Sequence, residues 1–333
     1  MGRLTIRDIA QKAGVSPTAV SFALNDRPGI SADTRRRVRE IADQLGWMPN
    51  ANARSLSLAR AGAIGLYIAR EPSSYNTERF FFNFLVGLQE TLARDGYDVL
   101  FHTGAGEEAE IRTYRKWWRE RRIAGVVLLD PVAADPRVRA VRDANIPAVV
   151  VGARAAGLSS IDAGEARMVR TLAEHLRKQG AQSLGYVCGL KSLLHTKERA
   201  QALREYAQTY GLDLVVQGGE DVTEAAGRAA VFEIFRQESV EGLIFDNETL
   251  TFGGIAALQT LGLQPGREVL VCSCEDSPIC RIASPSITVI DRDPADLGAL
   301  AATLVLERAA GGRARIAYLP EGDLVVRAST AGR

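Results

Sequence analysis

Apolar residues recur at helical spacing through the first 45 positions; from residue 63 they regroup into short β-rich runs separated by helical stretches. Ile6, Ile9, Ala10 and Ala13 share one helix face behind a capping-box-like start running from Thr5 to Asp8. Gly14 ends that helix by permitting a left-handed turn. Ser16-Pro17 restarts a second helix, Ser as N-cap and Pro in the first turn, with Val20, Ala23 and Leu24 as its buried stripe. Asn25-Asp26-Arg27-Pro28-Gly29 reads as a loop. Ser31 then caps a third helix to about Leu45, with Val38, Ile41, Ala42 and Leu45 inward and Gly46 at its end. Two short helices joined by a tight turn and supported by a third predict helix-turn-helix geometry, although a generic three-helix bundle would share the pattern.

The remaining chain predicts two sets of alternating strands and helices. The first has strands at Ala63–Ala69, Tyr97–Thr103, Gly125–Leu129 and Pro147–Gly152, with helices near Phe82–Arg94, Ile111–Arg121 and Pro136–Asn145. The second has strands at Leu184–Cys188, Leu212–Gln217, Gly242–Phe245 and Glu268–Ser273, with helices near Glu165–Gln179, Thr196–Tyr210, Thr223–Gln237 and Leu250–Leu261. Such alternation means parallel sheets covered by helices on both faces. Two sets suggest two similar lobes, with a ligand at the carboxyl ends of the strands, in the cleft between them.

Charge sharpens this division. Residues 1–60 hold ten Lys/Arg against five Asp/Glu, and the rest holds 31 against 35, so a basic head precedes an acidic body. That split suits a polyanion-binding module joined to something else. There is no apolar run of 18 residues, and Asp8 and Lys12 interrupt any apolar start, so a cytoplasmic protein without a membrane span is expected. Cys188, Cys272, Cys274 and Cys280 lack metal-ligand spacing and read as small buried hydrophobes. His102, His175 and His195 share no nucleophile or metal spacing, and Thr103-Gly104-Ala105-Gly106 lacks a full phosphate-loop motif. Asp130 and Asp246 end strands, where they suit catalysis, hydroxyl binding or simple capping alike. No catalytic constellation, metal site or cofactor is therefore expected.

The string from Leu4 to Leu58, with Ala13-Gly14-Val15-Ser16 at the turn and Pro49-Asn50-Ala51-Asn52-Ala53-Arg54-Ser55-Leu56 after the third helix, closely resembles the lactose repressor (LacI/GalR-type) family of bacterial transcription regulators. The resemblance extends more loosely over the body. It implies an all-α helix-turn-helix head on an α/β body of the periplasmic-binding-protein type I class, made of two doubly wound lobes. The implied divisions are a DNA-binding domain over 1–48, a hinge helix or linker over 49–61, and an effector-binding and dimerisation domain over 62–333. Within that body the N-lobe covers about 62–161 and 291–320, and the C-lobe about 162–290 and 321–330.

By the same resemblance the second helix reads DNA. Pro17, Thr18 and Phe22 face base edges, and Ser16, Ser21, Asn25, Ser31 and Thr34 reach phosphates, with Thr5 beside them. Many family members carry Arg where this chain has Phe22, and Pro17 offers no side-chain hydrogen bond, so direct readout is expected to be thin. The hinge adds Asn50, Ala53, Arg54 and Leu56, the last as a minor-groove wedge that kinks the duplex. Two-fold pairing of heads implies a homodimer on a palindromic operator.

For the effector, the resemblance implies Phe80, Phe81, Asp130, Arg199, Asn247, Glu248, Glu275 and Asp276 around a sugar-like ligand. Glu248 replaces the usual Asp, and Val222-Thr223 stands where a stacking aromatic is common, which leaves a purine-like or other small polar metabolite as the alternative. The expected function is thus a non-enzymatic, ligand-controlled transcriptional regulator, most simply a repressor. A bare solute-binding protein would need export and no basic head; an enzyme would need a reactive constellation.

Overall fold

The computed structural model describes residues 4–24, 26–47, 62–70, 79–104, 106–219 and 221–331. The chain divides into two compact units, Met1–Arg60 and Ala61–Arg333. The hinge residues Asn50, Ala53, Arg54 and Leu56, and the loop residue Asn25, lie outside the described residues.

In the first unit α1 (Ile6–Ala13), α2 (Pro17–Leu24) and α3 (Ala32–Gln44) enclose the fully buried Ile9, Val20, Ala23 and Val38, with Ala10, Ala13 and Ala42 between them. The Thr5 amide and hydroxyl both donate to the Asp8 carboxylate, at 2.6 and 2.7 Å, closing the capping box. Ser16 Oγ accepts from the Ala19 amide and Ser31 Oγ from the Thr34 amide, caps worth about 1 kcal/mol each. Gly14 turns the chain at φ +65°, a conformation a β-carbon would strain.

The second unit contains two six-stranded sheets. The N-lobe sheet uses β1 (Ala63–Ile68), β2 (Asp98–Thr103), β3 (Gly125–Leu128), β4 (Ala148–Val151), β5 (Ser159–Asp162) and a strand from near the C-terminus, β11 (Ile316–Tyr318). Its order is β11-β5-β4-β3-β1-β2, all parallel. The C-lobe sheet uses β6 (Ser183–Cys188), β7 (Asp213–Gly218), β8 (Gly242–Phe245), β9 (Leu270–Ser273), β10 (Thr288–Asp291) and β12 (Asp323–Val325). Its order is β12-β10-β9-β8-β6-β7, parallel except for the antiparallel edge strand β12.

The N-lobe helices are α4 (Arg79–Arg94), α5 (Glu107–Arg119), α6 (Pro136–Asp143) and the returning α12 (Pro294–Ala309). The C-lobe has α7 (Glu165–Lys178), α8 (Leu194–Tyr210), α9 (Glu224–Gln237), α10 (Glu248–Thr260) and the short α11 (Pro278–Ile282). Each lobe pairs two helices through glycine. A β-carbon on Gly87 of α4 would lie 1.9 Å from the Ala295 carbonyl oxygen, and one on Gly298 of α12 would lie 2.1 Å from that of Phe84. In the C-lobe, Gly227 of α9 and Gly253 of α10 approach Leu250 and Glu224 carbonyls in the same way, at 2.3 and 2.0 Å.

Four strands went unread in the sequence: β5, β10, β11 and β12 are three or four residues long, and they lack the continuous apolar run that marks the equally short β3, β4, β8 and β9. Helices α4, α5, α8 and α10 begin two to four residues before the predicted starts; in α5 and α10 acidic residues occupy the first turn and hide the apolar pattern.

Candidate functional site

On the head, helical geometry sets Pro17 over Ser21 and Thr18 over Phe22. Pro17 and Thr18 are exposed, and Ser21 and Phe22 half-buried. The Phe22 ring lies against the Pro28-Gly29 turn, 3.3 Å from where a β-carbon on Gly29 would sit, and outside the apolar core of the head. Thr5, Ser16 and Ser31 are exposed and Thr34 half-buried, all at helix N-termini. The arginine cluster of α3 is partly turned to structural use. Arg35 and Arg39 both bind Asp26, at 2.7 and 2.6 Å, and Arg35 also donates to the Arg27 carbonyl. These contacts brace the loop after α2 and hold the Asp26 carboxyl below its ordinary range.

In the body, the strand ends of both sheets converge on a cleft of about 680 Å³, open mouth included. Arg70, Phe80, Asp130, His195, Arg199, Asn247, Glu275 and Arg292 line it, with Glu165 and Asp246 beneath them and Leu129, Val151, Leu190, Leu193, Val222 and Leu297 as apolar walls. Strand endings explain this placement: Asp130 and Asp246 follow β3 and β8, and Glu275 follows β9.

The charges are arranged as closed sets. Arg70 Nε donates to Asp130 Oδ2 at 2.7 Å. Arg199 donates through Nε to Glu165 Oε2 at 2.5 Å and through Nη1 to Asp246 Oδ1 at 2.7 Å. Arg292 reaches the second Glu165 oxygen at 3.0 Å. The Tyr186 hydroxyl and the Gly189 amide also donate to Asp246. Burial alone would raise Glu165, but Arg199 and Arg292 outweigh it and hold it at about 2. Burial likewise opposes ionisation of Asp130, and Arg70 and His195 bring its pKa below the ordinary value. Burial, with Arg199 adding to it, pushes the His195 imidazole down, leaving it neutral near pH 7. Glu275 has no hydrogen-bond partner for its carboxyl among the described residues, and burial pushes it up to about 7.

Three guanidiniums thus face three carboxylates that pair with them, while two N–H groups of Arg199, on Nη2, make no hydrogen bond among the described residues. The groups left to a ligand are these donors, the Glu275 carboxyl, the His195 ring, the Asn247 amide nitrogens and the face of Phe80, since Asn247 Oδ1 already caps α10 by accepting from Leu250. His ring nitrogens, an amide and a carboxyl can donate and accept around hydroxyl groups.

Three residues expected at the cleft are turned from it. Phe81 is 6% exposed in the N-lobe core, with the Arg70 guanidinium 4.9 Å over its ring, because adjacent helix positions point about 100° apart. Glu248, in the first turn of α10, is buried, with Oε2 lacking a hydrogen-bond partner among the described residues. Asp276 points the other way from Glu275 and binds Arg327 and Arg281. The sequence reading missed Arg70, Glu165 and Arg292 as cleft residues and assigned His195 no role. Their partners are remote along the chain, and only the strand-end position of Asp246 was a signal. The four cysteines are buried, with Cys188, Cys272 and Cys274 in one apolar cluster.

Residues 5–50 match the model of bacterial regulatory proteins of the lacI family, and residues 173–330 match the periplasmic binding protein-like domain. Among named relatives, the HTH-type transcriptional regulator MalR of Streptococcus pneumoniae serotype 4 is 28% identical over 211 residues. That match covers 62% of this chain and 64% of MalR, so it spans less than two thirds of that relative. The HTH-type transcriptional repressor PurR of Actinobacillus pleuropneumoniae serotype 3 is 26% identical over 313 residues, 91% of this chain and 90% of PurR. Among solved structures, the Lac repressor dimer bound to operator and the anti-inducer ONPF superposes with a TM-score of 0.86 at 22% identity, covering 99% of this chain and all of that one. The CelR–cellobiose complex gives 0.73 at 23% identity, over 98% of this chain and all of that one. At these identities the two structures establish the shared fold.

Proposed function

The chain belongs to the lacI family of bacterial regulatory proteins, and on that premise we propose that it is a homodimeric, cytoplasmic repressor whose grip on palindromic operator DNA is set by a neutral, sugar-like effector in the interlobe cleft. It carries out no catalysis in this reading. The carrying observation is the pairing of every cleft guanidinium with a carboxylate. A phosphate or carboxylate ligand would meet no unopposed cation and would have to displace a buried partner, a costly exchange. Neutral hydroxyl groups need only hydrogen bonds, and Glu275, His195, Asn247 and Arg199 Nη2 supply them beside the Phe80 ring.

The head contributes the exposed row of Pro17 and Thr18, with Ser21 and Phe22 beside them, and hydroxyls at three helix N-termini, which suit base-edge and phosphate contact. Phe82 on α4 is 69% exposed and Ile282 at the end of α11 is 81% exposed. A second copy would cover such side chains, and the homodimer itself follows from the family premise.

The test is a thermal-shift comparison of neutral sugars with the uronic acids and sugar phosphates of the same skeleton, followed by gel shifts on palindromic DNA with the best binder. A neutral sugar should raise the melting temperature and change operator affinity. Stronger stabilisation by the acid or phosphate form than by its neutral counterpart would overturn the assignment of ligand class; DNA retention indifferent to every stabilising compound would overturn the coupling.

A further inference from the structure

The chain crosses between the lobes after β5, after β10 and between β11 and β12, and the lobes also meet at one further place among the described residues. Residues 130–135, which follow β3 of the N-lobe, lie against residues 189–194, which follow β6 of the C-lobe. Val132 and Leu193 form an isolated antiparallel bridge, and the Leu194 amide donates to the Pro131 carbonyl at 2.9 Å. Among the described residues, and away from the crossovers, this is the hydrogen bond that joins the lobes. It borders the cleft directly, since Asp130, Leu190, Leu193 and His195 all line it.

The N-lobe half of this contact is built with unusual care. Asp130 and Ala134 both take positive φ, +52°, a left-handed conformation that costs about 1 kcal/mol or more for residues with a β-carbon. Arg137, 3% exposed, holds the loop in that shape. It donates to the Asp130 carbonyl at 2.9 Å, to both oxygens of Asp135, and to the buried Glu110 at 2.9 Å. Asp135 in turn accepts from the Val132 amide. A strained loop held by a buried network is the usual mark of a functional constraint.

We propose that residues 130–135 and 190–194 form an interlobe latch, with Arg137 as its positioning residue, and that the free energy of this backbone contact sets the balance between open and closed lobes. Its consequence for the effector rests on the reading of the cleft given above; the latch itself does not. Effector affinity and operator response are then tuned from outside the ligand contacts, because Asp130 is at once a cleft residue and the first residue of the latch loop.

The first turn of α8 allows a clean test. Leu194 is the first helical residue and Leu193 before it is extended, at φ −76° and ψ 141°, where a following proline is tolerated. Leu194→Pro therefore removes the donated N–H and leaves the helix intact, while Leu194→Ala retains it. Spin labels introduced by Arg139→Cys on α6 and Gln201→Cys on α8 report lobe separation in the full chain, and the buried native cysteines give no label. Leu194→Pro should raise the open-to-closed ratio about five-fold, the worth of one neutral hydrogen bond. Leu194→Ala should match the parent. A distance distribution unchanged by Leu194→Pro overturns the latch. Residue-resolved hydrogen exchange on the unaltered chain gives an independent check: the Leu194 amide, which has no partner within its own helix, should be protected, and free exchange there also overturns it.

Discussion

Replacing Arg199 with alanine separates the electrostatic role of this side chain from its ligand role. The substitution leaves Glu165 and Asp246 buried without their shared guanidinium. Breaking a buried ion pair by removing one partner costs about 3–5 kcal/mol. Two features place the cost at the lower end: Arg292 still reaches Glu165 at 3.0 Å, and Tyr186 and Gly189 still donate to Asp246. The titration of Glu165 points the same way: burial alone would raise it, and Arg199 and Arg292 together overcome that and hold it at about 2. A loss of about 3 kcal/mol at pH 7 is expected from urea unfolding.

The pH dependence follows from the sign of the shifts. Glu165 and Asp246 have depressed folded pKa values, so their stabilisation is present above the ordinary carboxylate range and is lost as pH falls towards about 2. In Arg199→Ala both carboxyls titrate higher and can protonate near pH 4, which removes the uncompensated charge. The stability gap between parent and variant should accordingly be full at pH 7 and shrink to about half by pH 4. Urea midpoints across that range measure it. A gap below about 1 kcal/mol at pH 7, or one that stays constant down to pH 4, would refute the claim that the cleft charges form closed sets. In parallel gel shifts the variant should bind operator without responding to effector; retained response would remove Arg199 from the ligand contacts.

Two further expectations concern other parts of the chain. Gly87→Ala sets a methyl 1.9 Å from the backbone oxygen of Ala295, which no side-chain adjustment relieves, so the melting temperature should fall by about 5 °C or more through overpacking; an unchanged melting temperature would show that α4 and α12 separate freely. Leu56→Ala, in the hinge segment, should weaken operator binding about ten-fold or more in a gel shift and leave the urea midpoint of the body unchanged; equal affinity would remove the wedge.

The head and the alternation of the body were legible because each rests on local signals: caps, a turn glycine, and apolar periods within a dozen residues. Ser16, Ser31 and Gly14 act where their types suggest. The cleft was legible only in part. Asp130, Asn247 and Glu275 were named through the family resemblance, and they line the cleft because they follow strands whose ends meet there. The direction of a neighbouring side chain could not: Phe80 faces the cleft and Phe81 the core, Glu275 the cleft and Asp276 Arg327, by one step along the backbone. Partnership was further out of reach. Arg199 was recognisable as a cleft cation, but its engagement by Glu165 and Asp246, 34 and 47 residues away, depends on the fold of a whole lobe. That distinction decides the chemistry. An unopposed arginine in the cleft would attract an anion, and the same arginine closed between two carboxylates offers only its remaining N–H groups, to which a hydroxyl binds without displacing anything. The proposal of a neutral ligand therefore rests on the pairing of these groups, and a sequence that reveals their types leaves that pairing undetermined until the lobe is folded.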